Sequence, residues 1–103
     1  VSEQDWVLVH EDDKHLVQLS VDEGIACLHY KFAGKFTKSD KLKAAFIFKE
    51  VCLYLDALGF ASLFALTPNV KFVQAIVGNS FTWVSKVDNQ DLLCWELGEY
   101  LWP

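Results

Sequence analysis

Hydrophobic and polar positions alternate through the first thirty residues, and then the alternation stops. Trp6 to His10 (WVLVH) and His15 to Ser20 (HLVQLS) are short β-rich runs flanking the polar turn EDDK. In the second run Leu16, Gln18 and Ser20 point one way and Val17 and Leu19 the other, the period of two that a strand imposes. Asp22-Glu23-Gly24 is a second turn and leads into Ile25 to Phe32 (IACLHYKF). There Ile25, Cys27, His29 and Lys31 share one face; Ala26, Leu28, Tyr30 and Phe32 share the other. These three runs predict an antiparallel meander.

After the loop AGKFTKSD the period changes. Ala44, Ile47, Phe48, Val51, Leu55 and Leu58 follow helical spacing, widened by Ala45, Phe46, Cys52 and Leu53. A helix over about 40–58 is predicted, capped by Ser39 or Asp40, with Gly59 at its left-handed exit. So wide an apolar stripe predicts a helix covered on more than one side. Phe60 to Leu66 is nearly continuous in apolar residues, as in a strand buried on both faces. Thr67-Pro68-Asn69 turns the chain and caps a short helix over Val70 to Val77, which Gly78-Asn79 ends. Phe81 to Val87 and Leu92 to Leu97 are two further strands around a turn at Asp88 to Gln90. The residues GEYLWP form a tail.

The order is therefore β-β-β-α-β-α-β-β. It predicts one domain over 1–103 of α/β (α+β) class: a mixed, mostly antiparallel sheet with two packed helices.

Composition narrows the function classes. The chain has 103 residues, 52% of them hydrophobic and 15% aromatic, which suits one globular core and suggests a face covered by a partner. The net charge is −5, and all nine basic residues are lysine. An acidic chain without Arg is poorly suited to duplex DNA, so a nucleic-acid partner is not expected. Lys31, Lys35, Lys38, Lys41 and Lys43 cluster ahead of and within the first helical turns, as a solvated helix start or a local anion site. No apolar run reaches the ~18 residues of a membrane span. The start VSEQDW lacks the basic and apolar regions of a signal peptide. Cys27, Cys52 and Cys94 are widely spaced and each sits in an apolar run, so free thiols, no zinc site and a reducing, cytoplasmic setting are expected.

Three stretches carry a resemblance: YLDALGFASLFALTPN, NVKFVQAIVGNSFTWV and the closing LLCWEL. Together they resemble the GNAT acyltransferase superfamily from about Trp6 to Leu97, with the N-terminal helices of the full family fold absent or reduced. The layout is also similar to acyltransferase-like proteins of tailed bacteriophages, which would place the chain in a host cytoplasm or a virion. The resemblance implies acetyl-CoA as cofactor, with its phosphates at Lys35, Lys38, Lys41 and Lys43.

The departures are as telling. The family opens its long helix with a Gly-rich turn that admits the pyrophosphate; here the stretch Lys38 to Ala44 has no glycine, and Asp40 sets a negative charge there. The family's Tyr, about seven residues past the Asn, falls on Ile76. His29 is the one candidate base on its strand, weighed against a merely packed histidine; Tyr30 and Tyr54 have no spacing that favours them as acids over core rings.

The leading reading is a catalytically degenerate fold that binds another protein or its own copy, without a cofactor or metal. Trp83 and Trp95 are expected in its core, and Tyr100 and Trp102 on the tail are its interface candidates. The alternative is a small N-acetyltransferase with a divergent cofactor loop, which requires the strands around Ala33 and Leu66 to diverge. A third reading, an acidic protein that mimics an anion or a nucleic acid, rests on the acidic start alone.

Overall fold

The computed structural model describes residues 6–98. Strands β1 (Trp6–Glu11), β2 (His15–Asp22) and β3 (Ile25–Phe32) form the expected antiparallel meander. Glu23 and Gly24 both take positive φ, 51° and 80°, the turn whose twist matches two paired strands and which glycine enters without steric cost. Asp88 and Asn89 repeat that geometry between β5 (Thr82–Val87) and β6 (Gln90–Glu96). Helix α1 (Lys38–Ala57) links β3 to β4 (Ser62–Thr67), and α2 (Val70–Val77) links β4 to β5. The six strands lie in the order β1-β2-β3-β4-β6-β5, with β3 and β4 parallel and every other neighbouring pair antiparallel.

Period-two alternation decides what the sheet buries. Leu19, Ala26, Leu63, Leu93 and Trp95 sit on one face and meet Phe48, Val51, Cys52 and Leu55 of α1, and Val17 is buried as well. Val70, Val73 and Val77 of α2 pack against the same core. Burying each large apolar side chain contributes about 1.5–3 kcal/mol. Leu58 ends α1 in helical geometry; Gly59 follows at φ 93°, its N–H bonded to Asp56 O and the Phe60 N–H to Leu55 O. That pair of bonds satisfies the last carbonyls and turns the chain into β4.

Several expectations need correcting. Thr37, not Ser39 or Asp40, is the N-cap of α1, and Asp40 is the third residue of the helix. Helix α1 is covered on one side only: Leu42, Phe46, Leu53, Tyr54 and Leu58 are exposed, Phe46 to 67%. Strand β4 likewise buries one face, and Leu66 is exposed on the other. The common cause is that both helices pack on one face of the sheet, so apolar residues aimed the other way meet no layer among the described residues. Trp95 is in the core as expected, but Trp83 is 54% exposed on edge strand β5, its indole N–H donating to Asp91 at 2.9 Å. No helix among the described residues is long and apolar enough to cross a membrane.

Candidate functional site

The parallel pairing of β3 and β4 is short. It runs through Ala26–Leu63, Cys27–Phe64 and Leu28–Ala65 and stops, although β3 continues to Phe32 and β4 to Thr67. Beyond Leu28 and Ala65 the two strands no longer pair, and a slot of about 370 Å³ lies between that end of the sheet and the two helices. Its walls are Ala44, Ile47 and Phe48 of α1, Phe72, Val73, Ile76 and Val77 of α2, and Leu28, Tyr30, Phe32, Ala65 and Trp95 of the sheet. Pockets at the carboxyl ends of parallel strands are where α/β layers usually hold ligands.

Five rings form a closed circuit beside the slot. His15 meets Phe32 at 5.0 Å between ring centres, Phe32 meets Phe36 at 4.8 Å, and Phe36 meets Phe72 at 4.9 Å. Phe72 stacks on Tyr30 at 6.4 Å, and Tyr30 returns to His15 at 5.9 Å. The circuit joins β2, β3, the loop before α1, and α2. Phe72 reaches it because Asn69 caps α2: its side-chain oxygen accepts the Phe72 N–H and fixes the first turn.

Behind the rings lies a polar relay. His15 is 2% exposed; its Nδ1 is 2.8 Å from the Tyr30 hydroxyl and its Nε2 is 3.3 Å from Asp40 Oδ1. Asp40 Oδ2 accepts from the Thr37 N–H (2.9 Å), the Thr37 hydroxyl (2.8 Å) and Lys14 Nζ (3.3 Å). These donors, the Thr37 backbone first, hold the Asp40 carboxyl down at about 2. An ionised carboxylate only accepts, so Nε2 carries the imidazole proton. When the ring is neutral, Nδ1 is bare and the Tyr30 hydroxyl donates to it. Burial, with Asp40 and Asp12 nearby, raises the Tyr30 phenol to about 12, so that it stays protonated.

The same Thr37–Asp40 pair closes the helix start. Thr37 Oγ1 accepts the Asp40 N–H while Asp40 accepts the Thr37 N–H, a reciprocal capping box. Of the donors at the helix start, the Thr37 N–H is spent on the chain's own carboxylate and the Asp40 N–H on the Thr37 hydroxyl oxygen. A second carboxylate locks the β1–β2 turn to the helix. Asp12 accepts from the Lys14 and His15 backbones, from His10 Nε2 and from Lys43 Nζ at 2.6 Å. Lys43, first among these partners, pulls the Asp12 carboxyl well below the usual carboxylate range.

The sequence candidates are dispersed. His29 lies on the helix-free face, 5.6 Å from Trp6, while its neighbour Tyr30 faces the slot. Partial burial and Lys31 lower the His29 pKa. Lys35, Lys38 and Lys41 are exposed around the start of α1, and Lys43 pairs with Asp12. Tyr54 is exposed, and Ile76 lines the slot. Tyr100 and Trp102 lie outside the described residues. The three cysteines are free thiols. Cys27 and Cys94 flank Phe64 from the strands on either side of it, about 10 Å from each other at sheet spacing and too far apart to bond.

Sequence reasoning missed His15, Asp40 and Trp95 as site residues. Two signals were available. His15 shares its strand face with Val17 and Leu19, so its ring had to enter the core, and Thr37-Lys38-Ser39-Asp40 is the spacing of a capping box.

Comparison with family models, with curated proteins and with solved structures finds no match for this chain.

Proposed function

We propose that this chain is a GNAT-like domain that has lost its hold on a diphosphate cofactor and works by binding a protein partner. The observation that carries the reading is the capping box. A diphosphate at the start of α1 would meet the ionised Asp40 carboxylate, and the Thr37 and Asp40 N–H groups there are already bonded. Titration calorimetry with acetyl-CoA tests it. No heat at millimolar cofactor is expected, and micromolar binding overturns the reading.

The surface that best supports a protein partner is edge strand β1. Trp6, Val7, Leu8 and Val9 are all exposed, Val7 to 63%. An edge strand has one unpaired row of backbone donors and acceptors, which accepts another strand. A second copy of the chain or a different protein fits equally. Light scattering with and without Val7→Lys separates them: a dimer that the lysine dissociates identifies the copy.

The divergence of β3 and β4 favours a second reading, a small N-acetyltransferase. Its catalysis would rest on holding a thioester and an amine together in the slot. The same titration decides between the two.

A further inference from the structure

We infer that two copies of this chain pair through the face of the sheet that the helices leave bare, about a two-fold axis that sets the strands of one copy antiparallel to those of the other. This goes beyond the reading above, whose surface is the β1 edge, and does not depend on it.

The bare face has the make-up of an interface. Strand pairing lays two rows across its middle. One runs through Trp6, Ser20, Cys27, Phe64 and Cys94, the other through Leu8, Gln18, His29, Leu66 and Leu92. Neither row carries a charge at neutral pH; partial burial and Lys31 hold the His29 pKa below its ordinary value. Leu8 and Leu66 are each about half exposed. Charged side chains stand at the ends of the strands, and an apolar middle inside a polar rim is how protein interfaces are built. The outer side of α1 differs, because Lys49 and Glu50 interrupt it between the exposed Phe46 and Leu53. Six strands, each six to eight residues long, span a face of roughly 600 Å² at about 4.8 Å between strands and about 3.3 Å per residue. Two such faces bury on the order of 1,200 Å², where stable interfaces begin.

Charge at the rim selects the partner and its orientation. Asp22 and Glu96 lie at one end of the strands and Lys31 at the other, with Glu11 outlying on edge strand β1. None of the four is in a salt bridge among the described residues. Two copies can meet face to face about a two-fold axis running along the strands or across them. An axis along the strands brings like ends together. Because β2 and β6 are symmetrically placed about the middle of the sheet, Asp22 then falls opposite Glu96 of the second copy, and the two repel. An axis across the strands swaps the ends. Lys31 then falls beside Asp22 of the second copy, and the two-fold makes that contact twice. In the same arrangement the row through Cys27, Phe64 and Cys94 lies over the second copy's row of His29, Leu66 and Leu92, so apolar positions meet apolar ones. The face is thus complementary to itself in shape of pattern and in sign.

Sedimentation equilibrium of the full chain across the micromolar range tests it. A monomer–dimer equilibrium is expected. Leu66→Lys and Leu92→Lys, each checked for folding by circular dichroism, should weaken the dimer about a hundredfold or more, since each sets two lysines in its apolar middle. Lys31→Glu should weaken it about tenfold, and adding Asp22→Lys to that variant should restore it, because the exchanged charges meet again only if the strands are antiparallel. Val7→Lys and Phe46→Lys are the controls. Val7 pairs with Leu19 on the helix side of the sheet and Phe46 lies on α1, so neither should change the dimer. A dimer that Val7→Lys dissociates and Leu66→Lys does not belongs to the β1 edge and overturns this inference alone. Dissociation by Phe46→Lys instead, a dimer that survives both folded lysine variants on the bare face, or a charge exchange that fails to rescue also overturns it. So does a full chain that stays monomeric, the result expected if a different protein or the chain's own terminal residues cover this face.

Discussion

The Tyr30 hydroxyl lies 2.8 Å from His15 Nδ1, and this one contact joins the wall of the slot to the start of helix α1. Through His15 Nε2 it reaches Asp40, and through Asp40 it reaches Thr37 and Lys14. The site and the scaffold that holds it are thus one hydrogen-bonded unit.

Removing its centre should be felt as stability. His15→Ala empties a buried position and leaves the Tyr30 hydroxyl without its partner, a loss of about 1–3 kcal/mol. Urea unfolding of the variant should show a lower midpoint with an unchanged slope.

Thr37→Ala removes the N-cap of α1 and one donor to Asp40. The expected cost is about 1 kcal/mol, typical of a lost hydroxyl cap. Thr37→Ser, which keeps the oxygen, should recover most of it. Thermal melts of the three proteins compare them directly.

Acid should loosen the joint between the β1–β2 turn and α1. Asp12 and Asp40 are both held below their ordinary value of 3.8, Asp40 at about 2. A carboxylate whose pKa falls on folding stabilises the fold above its unfolded value, and that contribution fades as pH drops through the folded one. Stability should therefore decline from about pH 4 downwards and continue to decline to about pH 2. The double variant Asp12→Asn with Asp40→Asn should be weaker at pH 7 and lose less over that interval. Urea midpoints against pH check it.

The thiols should be slow. Burial pushes Cys52 up to about 12 and raises Cys27 and Cys94 as well. Since the thiolate is the reactive form, an aromatic disulfide reagent should modify Cys27 and Cys94 slowly in the native protein. Cys52, fully buried on the core-facing side of α1, should react only after unfolding. Mass spectrometry of the modified chain distinguishes the three.

The sequence by itself determined the elements and the faces of the meander. Alternation in HLVQLS and IACLHYKF put Val17, Leu19, Ala26 and Leu28 on one side because a strand has a period of two and no other option. Gly59 after a helical apolar run marked the end of α1, since few other residues take its positive φ without strain. Such rules act within a few residues, so a short window contains them.

What the tertiary structure decided was which of those faces found a neighbour. Both helices settled on one side of the sheet, so the continuous apolar runs in α1 and β4 are covered once and not twice, and Trp83 stays at an edge. The slot depends on β3 and β4 ceasing to pair after Leu28–Ala65, a matter of strand splay that residue order does not encode locally. Asp40, His15 and Tyr30 meet across 10 to 25 positions of chain, because hydrogen bonds of about 3 Å are satisfied by proximity in space.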